Sequence, residues 1–294
     1  MKKTNVPVLF ILAITLQTAL QAQTDASALL DETTADETEV VTGTFMASRI
    51  ITGHSMEQPA AGELEFRISH RFGRINEGIY EYFGLDQATI HFSLEYSPID
   101  RLTLGFGRSN FKKTYDGFAK ISILKQKKGK NNFPFSLTYL ASMEVVTLKN
   151  EIPEYELRHR LSYVHQLLMA RKFGKRLSLQ LTPSYVHKNL VENADVSNDV
   201  WALGIGGRFK ITRRLSLNAE WFVMINPNSA TSTQYYNPLS IGIDLETGGH
   251  VFQIMITNAQ SMREGSFISE TTGSWANGDI HLGFNISRMF NLHN

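Results

Sequence analysis

The stretch RLSLQL, Arg176–Leu181, recurs with small changes as RLTLGF (Arg101–Phe106) and RLSLNA (Arg214–Ala219). Each copy follows a short polar turn: FGK, SPID and ITR respectively. Successive side chains on a β-strand point to opposite faces, so the leucines share one face and the intervening polar residues share the other. The phrase therefore predicts two-faced strands that restart after tight turns.

The same alternation defines about twelve segments, many of them close to the ~10 residues that a tilted strand needs to cross a bilayer. Their predicted spans are 62–72, 87–97, 101–111, 116–126, 133–147, 157–171, 176–188, 199–210, 214–225, 238–246, 250–259 and 277–289. Short and long connections alternate between them, as in outer-membrane barrels. We therefore predict an all-β fold, a transmembrane antiparallel up-and-down barrel of about 12 strands over residues 62–290.

A secreted sandwich or closed barrel with an apolar core is the alternative, because its charged strand faces would simply be solvated. Strand length and strand number favour the membrane barrel, and so do aromatic residues near the predicted strand ends. Those aromatic residues are Tyr96, Phe111, Phe133, Phe173, Trp201, Phe209 and Phe290.

The N-terminus predicts export. Two lysines follow Met1, an apolar run of signal-peptide length comes next, and small Ala22 suits a cleavage site. We predict a signal peptide at 1–22 and a location in the cell outer membrane. Residues 23–61 begin acidic and rich in Thr and Ala, which predicts a flexible periplasmic segment or one inserted in the lumen. A formal charge of +1 and the absence of cysteine argue against nucleic-acid binding, disulfides and thiolate chemistry.

Three stretches resemble a family of Gram-negative outer-membrane β-barrels that is catalogued only as a domain of unknown function. They are TFMASRIITGHSMEQPAAGELEFRISHRFG (Thr44–Gly73), YFGLDQATI (Tyr82–Ile90) and GFGRSNFKKTYDGFAK (Gly105–Lys120). The resemblance implies an exported barrel and supplies no activity.

The charged residues on the polar strand faces are the candidate lumen lining. They are Glu63, Glu65, Arg67, Arg71, Glu95, Glu144, Arg158, Arg160, Arg208, Lys210, Glu220 and Asp244. The segment Phe45–Met56 mixes apolar and polar residues directly before the first strand. It is a candidate plug, in which Arg49 and His54 would pair with lumen carboxylates such as Glu65 or Glu95.

These features favour a passive channel or transporter for small hydrophilic solutes. The alternative is a non-conducting barrel that docks a periplasmic or surface partner through 23–61 or the loops 226–237 and 260–276. A hydrolase is a distant third, because Ser69 and His70, and likewise Ser184 and His187, fall on opposite strand faces. We therefore expect that the protein is not an enzyme and has no catalytic residues, bound metal or cofactor. The expected partners are outer-membrane lipid and, during biogenesis, the barrel-assembly machinery, while the solute or protein partner stays open.

Overall fold

The computed structural model describes residues 38–149, 156–225 and 235–292. Twelve antiparallel strands follow one another in chain order and form a closed barrel, with the last strand paired to the first. The predicted twelve-stranded up-and-down barrel is confirmed. The predicted signal peptide, residues 23–37 of the acidic segment and residues 226–234 of the predicted docking loop lie outside the described residues.

The strands are β1 (Glu63–Arg74), β2 (Ala88–Ile99), β3 (Leu102–Ser109), β4 (Thr114–Leu124), β5 (Ser136–Val146), β6 (Leu161–Lys172), β7 (Leu177–Lys188), β8 (Asp199–Lys210), β9 (Leu215–Met224), β10 (Leu239–Thr247), β11 (His250–Thr257) and β12 (His281–Asn291). A helix, α1 (Glu264–Ser269), lies between β11 and β12. Short 3-10 turns occur at Ile75–Glu77, Tyr82–Gly84, Phe111–Lys113 and Leu157–Arg160. No described helix is long and apolar enough to cross a membrane.

The barrel carries its apolar side chains on the outside. In RLSLQL, Leu179 is 41% exposed, whereas Ser178 and Gln180 on the inner face are 3% and 1% exposed. A water-soluble barrel would reverse these faces, because exposing a continuous apolar belt to water is unfavourable. Lipid is the surrounding that such an exterior requires.

Three strands begin three or four residues later than the alternation predicted. β5 starts at Ser136 because Phe133 pairs with Lys127 in a small hairpin, and Pro134 then lacks the N–H that a ladder needs. β6 starts at Leu161 because the preceding residues form a 3-10 turn. β12 starts at His281, after a turn in which Gly278 has a φ of 75° that favours glycine.

Residues 38–41 and 126–134 form a small unit of their own. In it Glu39 pairs with Lys128 and Val40 with Lys127, and the Val41 N–H donates to the Gln126 carbonyl at 2.9 Å. The barrel and its contents, from Thr42 onward without 126–134, make up the second unit.

The end of the barrel with the connections 100–101, 173–176, 211–214 and 248–249 is called the short-turn end below, and the opposite end the long-loop end.

Candidate functional site: the occupied lumen

The barrel lumen is lined by polar side chains, since each strand directs alternate residues inward. Eight of the twelve predicted lining residues are buried there: Glu65, Arg67, Arg71, Glu95, Glu144, Arg208, Glu220 and Asp244. Glu63, Arg160 and Lys210 are half-buried. Arg158 lies in the 3-10 turn before β6, where its side chain is 70% exposed and pairs with Glu156 at 3.0 Å. Its predicted place in the lumen is wrong because β6 begins three residues later.

Residues 44–57, called the N-terminal insert below, lie inside the barrel as an irregular hairpin. The Ile50 N–H donates to the Gly53 carbonyl and the Ser55 N–H to the Ser48 carbonyl, each at 2.9 Å. Every residue from Thr44 to Met56 except Met46 is buried. A segment with so little secondary structure must find other partners for its backbone groups.

Glu220 on β9 holds the tip of this insert. Its carboxylate accepts the N–H groups of Ile51 (3.2 Å), Thr52 (2.7 Å) and Gly53 (3.1 Å). Successive N–H groups that converge on one anion form a nest, an arrangement that favours negative charge. Gly53 is needed there, because an added Cβ would lie 2.9 Å from the Phe222 ring.

Amide and lysine side chains of the wall satisfy the carbonyl groups of the insert. Gln180 donates to the His54 carbonyl (2.8 Å) and Asn285 to the Ile51 carbonyl (2.8 Å). Gln253 donates to the Ile50 carbonyl (3.1 Å), and Lys120 to the Glu57 carbonyl (2.9 Å). The lumen lining predicted from the sequence did not include these four residues. That prediction counted only charged residues on strands whose alternation was clear. Gln180, Gln253 and Asn285 all lie on inward strand faces, which is the signal that would have found them.

Arg49 and His54 both reach Glu264 at the start of α1. Arg49 donates to the Glu264 carboxylate, and His54 Nε2 lies 3.3 Å from Glu264 Oε1. Arg49 Nε also lies 3.8 Å from Glu95, one of the two carboxylates proposed from the sequence, whereas Glu65 pairs with Arg67. Glu264 belongs to a loop without periodicity, so no sequence signal placed it in the lumen.

Residues 258–276, called the loop insert below, enter the barrel from the long-loop end. All six residues of α1 are buried. Phe267 meets Phe222 edge to face, with ring centroids 5.1 Å apart, and Ile268 joins the same apolar cluster. Glu144 on β5 anchors the helix, accepting from Arg263 Nη1 at 2.8 Å and from the Gly265 N–H at 2.6 Å.

A cavity of about 370 Å³ remains at the long-loop end of the barrel. Its lining includes Lys112, Lys188, Tyr235 and Glu270. Glu270 lies 3.0 Å from the Lys112 ammonium and 3.4 Å from that of Lys188. These two lysines outweigh the effect of burial and hold the pKa of Glu270 below its ordinary value. The pocket therefore offers fixed charges of both signs to a small polar molecule.

The residues considered for a hydrolase do not form a catalytic pair. Ser69 is buried on the inner face, while His70 stacks on Phe284 on the outer face at 5.0 Å. Ser184 accepts from Gln166 inside the barrel, and His187 contacts Asp199 outside it at 2.7 Å. In each pair the serine and the histidine therefore lie on opposite faces of the barrel wall and cannot act together as nucleophile and base.

The family model of a membrane-bound β-barrel domain, DUF5777, matches residues 45–290, which confirms the resemblance recognised from the sequence. Among solved structures, the chain is similar to the COG4313 outer membrane channel from Pseudomonas putida F1, at 13% identity and a TM-score of 0.47, over 86% of this chain and 100% of that one. It is also similar to the KdgM porin, at 10% identity and a TM-score of 0.46, over 79% of this chain and 99% of that one. No curated protein matched the sequence.

Proposed function

The chain belongs to the family of membrane-bound β-barrel domains DUF5777, and from this premise we propose that it is a channel for small hydrophilic solutes whose pore is closed by its own N-terminal insert. The insert leaves the polar lumen when the channel opens. The loop insert stays in place and narrows the long-loop end.

One observation carries the proposal: hydrogen bonds from a polar wall reach the backbone of the insert along its length. One apolar cluster accompanies them, in which Phe45, Ile50, Ile51 and Met56 meet Ala170 and Met255. Glu220, Gln180, Lys120 and Asn285 all bond to the backbone of the insert. Water can take over such bonds when the insert leaves, so the exchange has a small net free energy for each bond. The wall that is then exposed is hydrophilic and suits a water-filled pore.

We extend the proposal to the location of the protein. Residues 1–22 would direct export, and the barrel would be inserted by the assembly machinery into the outer membrane, with its apolar belt against lipid. N-terminal sequencing of protein recovered from the outer-membrane fraction tests this part. A mature chain that still begins at Met1 would contradict it.

The central test is single-channel conductance of the refolded barrel in a planar bilayer. We compare the full chain, a chain lacking 45–56, and Glu220→Ala, which removes the acceptor at the tip of the insert. We expect brief rare openings from the full chain, steady conductance from the deletion, and more frequent openings from Glu220→Ala.

The matched control is Glu246→Ala. Glu246 lies exposed on neighbouring β10, so this substitution removes the same charge without changing a residue that contacts the insert. It should behave as the full chain does. Silence from the deletion, in a barrel shown to be folded by its heat-modifiable mobility on a gel, would overturn the channel proposal.

A non-conducting barrel that docks a partner is the second candidate, and the buried ion pairs favour it. Arg67 pairs with Glu65, and Arg263 with Glu144 at 2.8 Å, both pairs almost fully buried. Pairs of this kind fix a shape without requiring a pore. Silence from the deletion would support this candidate, with the exposed Tyr236 among the surface residues to probe.

A further inference from the structure

A second, much smaller cavity lies between the N-terminal insert and the wall formed by β1 and β2. Its volume is about 10 Å³, the space of roughly one water-sized sphere. It is lined by Arg49, Ile51, Thr52, Arg67, Ser69, Arg71, His91, Ser93 and Met262. Three of these are arginines, and none is a carboxylate.

The strand register explains why these side chains meet. Arg67, Ser69 and Arg71 alternate along β1 and all point inward. On β2, Ser93 lies directly opposite Arg67, and His91 directly opposite Ser69. The wall thus presents a compact group of hydrogen-bond donors, and the insert covers it with Thr52 and Arg49.

Several of these donors are buried without a hydrogen-bond partner among the described residues, although Arg67 Nη1 lies 3.8 Å from Glu95 Oε1. They are Arg67 Nε and Nη1, Arg71 Nε and the Ser93 hydroxyl. Arg67, Arg71 and Ser93 are each 3% exposed or less. A buried charged donor that lacks a partner is costly, and guanidinium N–H groups bond most strongly to anions.

The surrounding charges leave Arg71 the least compensated of the three arginines. Arg49 pairs with Glu264 and Arg67 with Glu65, and Glu95 lies 3.8 Å from both arginines. Arg71 forms no ion pair within the described ranges and donates to neutral oxygens of Thr52 (3.1 Å) and Asn285 (3.2 Å). Glu220 attracts it electrostatically, but that carboxylate already accepts the N–H groups of the insert.

We propose that this cavity binds a small monovalent anion of the halide class, held by Arg67, Arg71 and the Ser93 hydroxyl. Arg49 and Thr52 complete the site only while the insert is seated. A bound anion therefore stabilises the seated conformation over the open one. The site does not depend on conduction, so it can stand if the channel proposal fails.

The direct test is diffraction from crystals of the full-chain barrel grown in sodium bromide, with data at the bromine absorption edge. We expect an anomalous peak in the cavity, within hydrogen-bond distance of Arg67, Arg71 and Ser93. Density without an anomalous signal would identify a water molecule, and either that result or an empty cavity overturns the proposal.

A second test uses Ser93→Ala, because the Ser93 hydroxyl has no other described partner and its removal should leave the fold intact. Ser142→Ala is the matched control, since its hydroxyl is also buried and unpartnered but does not line the cavity. The readout is thermal unfolding in detergent as bromide replaces gluconate at constant ionic strength.

Bromide should raise the unfolding temperature of the full chain and of Ser142→Ala. In Ser93→Ala the bromide concentration for half the effect should rise roughly fivefold to tenfold. The same response in all three proteins would overturn the proposal, because a general salt effect does not distinguish the two serines.

Discussion

The two inserts fill neighbouring parts of one lumen by different physical means. The N-terminal insert has little secondary structure and depends on wall side chains such as Glu220 and Gln180 for its backbone hydrogen bonds. The loop insert forms α1, satisfies much of its own backbone, and buries Phe267 and Ile268 against apolar wall residues. Water can replace the hydrogen bonds of the N-terminal insert, but it cannot replace the apolar contacts of the loop insert or the smaller cluster that Phe45, Ile50, Ile51 and Met56 form with Ala170 and Met255. In our proposal, the N-terminal insert is therefore the one that leaves the lumen.

The largest effect should come from the apolar anchor of the loop insert. Phe267→Ala leaves a hole beside Phe222 and should lower the free energy of unfolding by about 3–5 kcal/mol. Chemical denaturation of the refolded barrel measures it. Phe106→Ala is the control: its side chain is 58% exposed on the outer face and should cost far less. Equal losses of unfolding free energy in Phe267→Ala and Phe106→Ala would show that Phe267 is not an anchor, and the distinction between the two inserts would no longer hold.

Removing the carboxylate at the nest should release the tip of the N-terminal insert. Glu220→Ala leaves the N–H groups of Ile51, Thr52 and Gly53 without their acceptor, which costs about 2–3 kcal/mol of seating free energy. Hydrogen exchange should speed up at these amides and stay slow in α1. If α1 exchanged faster by the same factor, the two inserts would form one cooperative unit.

A smaller effect is expected where the insert packs closely against the wall. Gly53→Ala places a methyl group 2.9 Å from the Phe222 ring and should cost about 1–3 kcal/mol. Gly117→Ala, whose new methyl group would meet only a carbonyl oxygen at 3.6 Å, is the control. The measurement is again hydrogen exchange at Ile51 and Thr52. Unchanged protection in Gly53→Ala would show that the insert tip can shift freely.

The smallest expected effect is a loss of stability at acidic pH that arises from Glu270 in the loop insert. Because Lys112 and Lys188 lower the pKa of Glu270, this carboxylate contributes stability that is present above its ordinary pKa of 4.5 and is lost as pH falls through the lowered value. Below about pH 4.5, wild-type stability should therefore drop more than that of Glu270→Gln, which lacks the titration. Parallel acid profiles for the two proteins would contradict the assignment.

The barrel was predictable because every strand repeats one local rule. In RLSLNA, as in RLSLQL, alternation places the leucines on one face of the strand. Because lipid surrounds the barrel, that apolar face must point outward. Strand ends were less predictable. Arg158 fits the alternation in the sequence, yet it lies in a 3-10 turn that is capped by Glu156 and precedes β6.

The contents of the lumen could be anticipated only in part. Residues 45–56 stood out as a mixed segment before the first strand, with Arg49 and His54 in need of acidic partners. The partner they share, Glu264, could not be identified, because its position depends on how the loop insert folds into the finished barrel. Contacts between side chains so far apart in the chain follow from tertiary packing and leave no periodic trace in the sequence.

The contact between Arg49 and Glu264 joins residues that are 215 positions apart. A contact of such long range forms late in folding, since the ends of the chain must first be brought together. Asn285, another anchor of the insert, belongs to β12, the strand that seals the barrel against β1. An unsealed barrel lacks these anchors, so the seated insert marks a chain that has completed its assembly.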